Sequence, residues 1–316
     1  MRFYIREHQH KAKAYIDALK TAGYRQKRRP LGVDFAIVDY EIAGVFNGCG
    51  PRLSPVTKKA NALDIPLFVY PHSVRPNVPY DLTNDYYDKI HALFTIARGH
   101  KEVLKRLGYP NPIEVAGWSY TDIKPFRQHK PKDKIRVLFA PIHPVGNGYL
   151  PDIDKELNAK TYRLLLGLMD KIDLTVRHIQ SLEYNGLWED ERVNFIIGRM
   201  DGSTRQINNT DVVIAAFTFA HMTVALGQPL VMVGEGVRPH NTPRKSGEMI
   251  WGIRWDEYKD YMAFPHNVED CEVSGDLLGM IKKAMNGSKG VEDWKNRFIG
   301  EPFDGRRFVK TLESYL

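Results

Sequence analysis

Short apolar runs alternate with stretches whose apolar positions return every third or fourth residue, and the alternation repeats from one end of the chain to the other. Runs of the first kind predict strands buried on both faces, and the second kind predicts amphipathic helices. The pattern predicts a strand at Arg2 to Ile5 and a helix at Lys11 to Ala22, where Ala14, Ile16, Leu19 and Ala22 follow helical spacing. It goes on through a strand at Asp34 to Tyr40, a helix at Pro55 to Ala62 and strands at Pro66 to Tyr70 and Ile90 to Ala97. A helix at Gly99 to Leu107 and a strand at Ile113 to Ala116 follow. Lys124 to Lys134 has two prolines, six basic residues and no apolar period, the composition of a linker.

A second series then begins, with strands expected at Ile135 to Ala140, Leu174 to His178, Val193 to Ile196, Val212 to Ala216 and Leu230 to Val233. Helices are expected at Ala159 to Met169, Ala220 to Leu226, Ser274 to Met285 and about Asp304 to Ser314, with a polar loop at Gly234 to Gly247. Strands separated by helices argue for parallel sheets covered on both faces. The expected fold class is therefore α/β, with two doubly wound, Rossmann-like domains at 1–130 and 131–316 facing a central cleft. The C-terminal helix is a candidate for crossing back to the first domain.

A length of 316 residues suits two domains, and 43% hydrophobic with 26% charged residues is ordinary globular composition. The longest apolar runs, such as Val212 to Phe219, fall short of the roughly 20 residues that span a bilayer. The N-terminus shows no signal-peptide pattern, so the expected location is the cytoplasm, or the host cytoplasm for a phage-encoded chain. Cys49 and Cys271 stand alone, which argues against a disulfide framework or a cysteine zinc site. The sequon Asn208-Asn209-Thr210 is set aside because a chain without a signal-peptide pattern is not expected to meet the glycosylation machinery. Charge changes the picture more. Residues 1–130 hold 21 Lys and Arg against 12 Asp and Glu, whereas residues 131–316 hold 24 against 26. An excess of fixed positive charge on one half suits a polyanionic partner, and a merely solvated basic surface explains it equally well.

In open parallel sheets ligands bind beyond the carboxyl ends of the strands, so the chemistry is sought in the segments that follow them. His143 follows the first strand of the second half, Arg177 and His178 end the next, and Gly198 and Arg199 follow the third. Ala216 to Thr223 passes from a strand straight into a helix, which presents free backbone N–H groups to an anion. Thr218 offers a hydroxyl there, and Arg177 a compensating charge for a diphosphate. The bland alternatives are that Thr218 is only an N-cap and Arg177 only a surface ion pair. Asp152-Ile153-Asp154 matches a DxD pattern in what reads as a polar loop, but no metal requirement is expected. Walker, GxGxxG, GxSxG and HExxH motifs are absent.

The succession VLFAPIHP, DLTVRHIQ, VNFIIG and INNTDVVIAAFTFAHMTVALGQPLVMV resembles the C-terminal half of GT-B glycosyltransferases. The likeness is greatest to the branch shared by teichoic-acid glycerophosphotransferases and UDP-GlcNAc 2-epimerases, and it covers about residues 135–235. It implies a GT-B fold and a nucleotide-sugar donor, UDP-linked by the same resemblance, held by His143, Arg177, His178, Gly198, Arg199, Thr218 and His221. Relatives place a ribose-binding glutamate one turn after the phosphate turn, where this chain has His221 and Met222, so Glu235 is a candidate substitute. In the first half, Phe68-Val69-Tyr70-Pro71-His72-Ser73 resembles the strand-then-histidine segment of the glycerophosphotransferases. A strand-end histidine suits deprotonation of an acceptor hydroxyl because its pKa lies near neutrality. His72 is the leading candidate base, with Asp39 and His8 as competitors, although a lone histidine is more often structural.

For the acceptor, Arg25, Arg28, Arg29 and Arg75 are candidate contacts to a phosphate backbone. Tyr86, Tyr87, Trp118 and Tyr120 are candidates to stack on a flipped base, or are ordinary core. Compactness resembles phage enzymes that glycosylate hydroxymethylated pyrimidines in DNA, the leading expectation for the acceptor. The alternatives are transfer to an anionic cell-wall polymer, UDP-sugar 2-epimerisation, and non-catalytic nucleic-acid binding.

Overall fold

The structure is a computed structural model describing residues 1–5, 12–39, 59–60, 62–71, 90–106, 109, 111–119, 133–143, 152–198, 202–234, 249–250, 253–254, 263–268 and 275–316. The chain divides into two compact units. The first comprises Met1–Asp122, Pro239–Tyr258 and Asn296–Leu316, and the second Ile123–Arg238 and Lys259–Lys295.

The first unit holds a six-stranded sheet of β1 (Arg2–Ile5), β2 (Arg25–Lys27), β3 (Phe35–Asp39), β4 (Leu67–Tyr70), β5 (Ile90–Thr95) and β6 (Ile113–Val115). The strands run parallel in the order β2-β1-β3-β4-β5-β6. Side chains alternate between its two faces. Phe3, Ile5, Phe35, Ile37, Phe68, Tyr70 and Phe94 face α1 (Lys13–Thr21), while Ala36, Val38, Leu67, Val69 and Leu93 pack with Leu104 of α2 (Arg98–Arg106). Both faces are covered, which is why these strands read as unbroken apolar runs.

The second unit holds a five-stranded parallel sheet of β7 (Ile135–Ala140), β8 (Ile172–His178), β9 (Asn194–Ile197), β10 (Val212–Ala215) and β11 (Leu230–Met232). Their order is β11-β10-β7-β8-β9. The chain steps from β7 to β8 and β9 on one side, then returns to place β10 on the other, which is the dinucleotide-binding order with its switch point between β7 and β10. At the amino ends of these two strands the Asp211 carboxylate accepts three bonds from Arg136, from the main-chain N–H at 2.8 Å, Nε at 3.1 Å and Nη2 at 2.6 Å. That clamp fixes the pairing of the two strands that create the switch point.

Helices α3 (Asp152–Leu166), α4 (Ser203–Asn208), α5 (Phe217–Ala225) and α6 (Leu277–Asn286) belong to this unit. A seventh, α7 (Lys289–Phe298), runs across the division of the chain, and α8 (Gly305–Glu313) packs in the first unit. A small antiparallel pair is formed by β12 (Met249–Ile250) and β13 (Ile253–Arg254).

Several elements depart from expectation. The helix expected at Ala159 starts seven residues earlier, because Asp152 and Asp154 form an acidic first turn at the positive end of α3 rather than a loop. The helix expected at Ala220 begins at Phe217, directly after an extended Ala216 (φ −116°, ψ 165°). Arg25 to Lys27 form the edge strand β2, and α4 and α7 had no counterpart in the sequence pattern. In α7 the apolar stripe Val291, Trp294, Phe298 is interrupted by charge.

Candidate active site

The two segments that leave the second sheet at its switch point are Pro141-Ile142-His143 after β7 and Ala216-Phe217 after β10. The first-turn N–H groups of α5 have no intrahelical acceptors, and Ala216 at the N-cap has no side chain to supply one. The positive end of this helix therefore lies at the position where ligands of such sheets collect. His143 is half-buried on the neighbouring segment.

Next to β7, Arg177 near the end of β8 turns inward and is 4% exposed. Its Nε donates to Gln206 Oε1 at 2.8 Å and its Nη2 to Ser203 Oγ at 3.2 Å, both on α4. The guanidinium carbon lies 4.5 Å from the ring centre of Phe219 in the first turn of α5. Gly198 also lies against it, and a Cβ there would come within 2.6 Å of the guanidinium carbon. Burial pushes this guanidinium down to about 10, which leaves it charged at neutral pH. A buried guanidinium thus packs on Phe219 in the first turn of α5, the end of the helix that is positive.

His178 is half-buried, and its Nδ1–H donates to the Gln180 carbonyl at 2.6 Å, since a carbonyl only accepts. Gly198 donates its N–H to the His178 carbonyl at 2.6 Å, and the close approach of Arg177 takes the space a Cβ would need there. His221 differs from expectation. It is fully buried in the second turn of α5, its ring tilted against that of Trp294 at 5.3 Å and 31°, rather than exposed at the helix mouth.

Thr218 is the second residue of α5 and Asp39 the last of β3; for both, the backbone alone is described. His8, His72, Arg75, Arg199 and Glu235 lie outside the described residues. In the first unit β1 and β3 are adjacent although β2 lies between them in sequence, so its switch point falls there, and Asp39 ends one of the two strands. Arg25 is exposed on β2, and Arg28 and Arg29 are exposed just beyond its carboxyl end, on the ligand-facing rim of the sheet. Divided by unit, the charge is 25 Lys and Arg against 18 Asp and Glu in the first and 20 against 20 in the second. The whole excess of +7 belongs to the first unit.

Ser203, Gln206 and Phe219, which hold Arg177, were not singled out in the sequence, nor was Asn158, which binds the main chain of Ile142. Each is a single polar or aromatic residue on a helix, with no spacing that marks it. Among the described residues no group of His, Cys, Asp and Glu is arranged to hold a metal ion. No described helix is long and apolar enough to cross a membrane.

No family model matches the sequence, and no curated protein matches it. Solved structures do resemble it. The spinosyn rhamnosyltransferase SpnG with spinosyn aglycone superposes with a TM-score of 0.54 at 12% identity, over 99% of this chain and 100% of that one. The glycotransferase of kitacinnamycin gives 0.54 at 10% identity, over 100% and 98%. Staphylococcus aureus TarM, in complex with fondaparinux, alpha-GlcNAc-glycerol and UDP, gives 0.50 at 11%, over 89% of this chain. The fold is GT-B. At these identities the likeness is one of fold, and this GT-B chain spans 55% of the length of TarM. The two parallel-sheet units are the paired Rossmann-like domains of that class, and the α5 mouth lies in the second of them.

Proposed function

We propose that this GT-B protein is a glycosyltransferase that takes a sugar from a nucleotide-sugar donor whose diphosphate rests on the amino end of α5. The observation that carries the reading is the meeting of the bare α5 terminus and the β7 segment at the switch point of the second sheet. The buried Arg177 charge against Phe219 adds to it. A diphosphate meets the positive helix end, with Arg177, Thr218 and His143 as the proposed further contacts. UDP is the preferred nucleotide, in keeping with its presence in the TarM complex. His178, Gly198 and Arg199 are proposed around the nucleoside, with Glu235 at the ribose.

The leaving nucleotide's charge is met by the helix end and Arg177, so the proposed mechanism needs no metal. The acceptor hydroxyl loses its proton to a general base, for which His72 is proposed ahead of Asp39 and His8. A hydroxymethylated pyrimidine in DNA is the proposed acceptor, its backbone held by Arg25, Arg28, Arg29 and Arg75 on the unit that carries the net positive charge.

The test is incubation of the purified chain with radiolabelled nucleotide sugars, alone and with hydroxymethylated DNA or an anionic wall polymer. Slow donor hydrolysis, accelerated by DNA with label incorporated into it, is expected. Intact donors in every mixture contradict the transferase reading. Label in the wall polymer alone replaces the acceptor, and UDP-GlcNAc converted to its 2-epimer without any acceptor points to epimerisation.

A further inference from the structure

Beneath the segment that follows β7 lies a buried polar network. Asn158, in α3, is fully buried. Its Oδ1 accepts from the Ile142 main-chain N–H at 2.8 Å, and its Nδ2 donates to the Ile142 carbonyl at 2.8 Å and to the Asn185 carbonyl at 3.0 Å. One side-chain amide thus satisfies both main-chain groups of the residue just before His143, much as a neighbouring strand would.

The network extends to the segment after β8. Asn185 is also fully buried, at the end of the 3-10 turn Glu183–Asn185, and its Nδ2 donates to the Ser181 carbonyl at 3.0 Å. Gly186, at φ 77°, closes that turn, and a Cβ there would come within 2.5 Å of the Lys155 carbonyl oxygen of α3. The turn therefore sits directly on the helix that carries Asn158. Burying a primary amide is costly unless its hydrogen bonds are made, and at Asn158 the Oδ1 and both Nδ2 hydrogens are used. An apolar side chain of the same size would fill the space but leave three main-chain groups without partners.

We infer that Asn158 is a positioning residue for the nucleotide diphosphate: it fixes the segments after β7 and β8 beside the α5 mouth. The inference rests on the proposed donor site at that mouth. Asn158 touches no substrate and acts through the main chain of Ile142 and Asn185.

The test is calorimetric titration of UDP into the full-length protein and its Asn158→Ala and Asn158→Asp variants, together with their melting temperatures. Asn158→Ala is expected to weaken UDP binding about tenfold or more, measured well below its melting temperature, because small misplacements at a reacting centre are costly. A protonated carboxyl has one donor and one acceptor, so Asn158→Asp restores the pair with Ile142 when neutral and loses it when ionised. Its UDP affinity relative to the wild type should therefore recover between about pH 8 and about pH 5, as burial raises the carboxyl pKa. Asn158→Ala should show no such recovery.

A purely structural role would lower the melting temperatures and leave UDP affinity unmoved. A folded Asn158→Ala that binds UDP within about twofold of the wild type overturns the inference. If that variant does not fold, an aspartate variant matching the wild type at both pH values does the same. A wild type that takes up no UDP fails the donor-site reading and this inference together, whereas a binding wild type with equal variants fails the inference alone.

Discussion

Arg177 and Gly198 show how a single contact constrains the site. The guanidinium occupies the space that a side chain at position 198 would need. Gly198→Ala must displace Arg177 from Ser203, Gln206 and Phe219, at a cost of about 1 to 3 kcal/mol for forced overpacking. Thermal unfolding should show that loss, and UDP titration should show weaker binding, since the displaced charge lies at the first turn of α5. His266 gives a second prediction at this scale. It is 9% exposed with its Nε2 buried, and burial, with Lys283 adding to it, pushes its pKa below 6.5. A base whose folded pKa is depressed stabilises the fold above its unfolded pKa, and that contribution fades as pH falls through the folded value. Unfolding followed from neutral to acid pH should therefore have a shallower acid slope in His266→Phe than in the wild type. A slope unchanged by the substitution would remove His266 as its source.

At the scale of elements, α8 is a sharp case because its two ends are tied down by unlike means. Asp304 caps its start, accepting from the Arg306 and Arg307 main-chain N–H groups at 2.9 and 3.2 Å, and Phe308, Val309 and Leu312 are buried. Asp304→Ala should cost about 1 kcal/mol of stability, read as a lower melting temperature. Near its far end, Tyr24 Oη donates to Glu313 and Tyr315 Oη donates to Glu114, each at 2.7 Å. Burial, with the carboxylate partner, pushes both phenols up to about 12. A raised folded pKa means that these bonds are fully present below about pH 10 and are lost as pH climbs through about 12. Tyr24→Phe should therefore reduce the alkaline loss of stability while lowering stability at neutral pH. The buried strands were legible in the sequence because burial on both faces leaves an apolar run that little else produces, whereas the charged edge strand β2 was not. The start of α3 was not, since an acidic first turn resembles a polar loop, and α7 was not, since charge interrupts its stripe. Strand order was also out of reach, as nothing in an apolar run names its neighbour.

At the scale of the molecule, that missing order is what turns scattered candidates into a site. His143 and Thr218 are 75 positions apart in sequence, and only the pairing of β7 with β10 puts their segments on either side of one crevice. The sequence marked the helix mouth through its strand-to-helix step and marked Arg177 through its charge. It did not mark Asn158, Ser203 or Gln206, because a lone polar residue on a helix has no signature until its partner is known. The charge imbalance, by contrast, was visible early and keeps its direction when the chain is divided into its two units, which leaves the second unit neutral. If the first unit meets a phosphate backbone, DNA binding should weaken steeply with salt, and an Arg28→Ala, Arg29→Ala double variant should lower the salt slope by about 2. Filter binding across a salt series checks this, and an unchanged slope removes that rim from the acceptor surface.

The central claim is that the amino end of α5 receives a nucleotide diphosphate, and amide hydrogen exchange with and without UDP tests it most directly. The account predicts slowed exchange at the main-chain amides of Phe217, Thr218 and Phe219, together with the segment around Ile142 and His143. Saturating UDP that leaves those amides exchanging as in the free protein would contradict it.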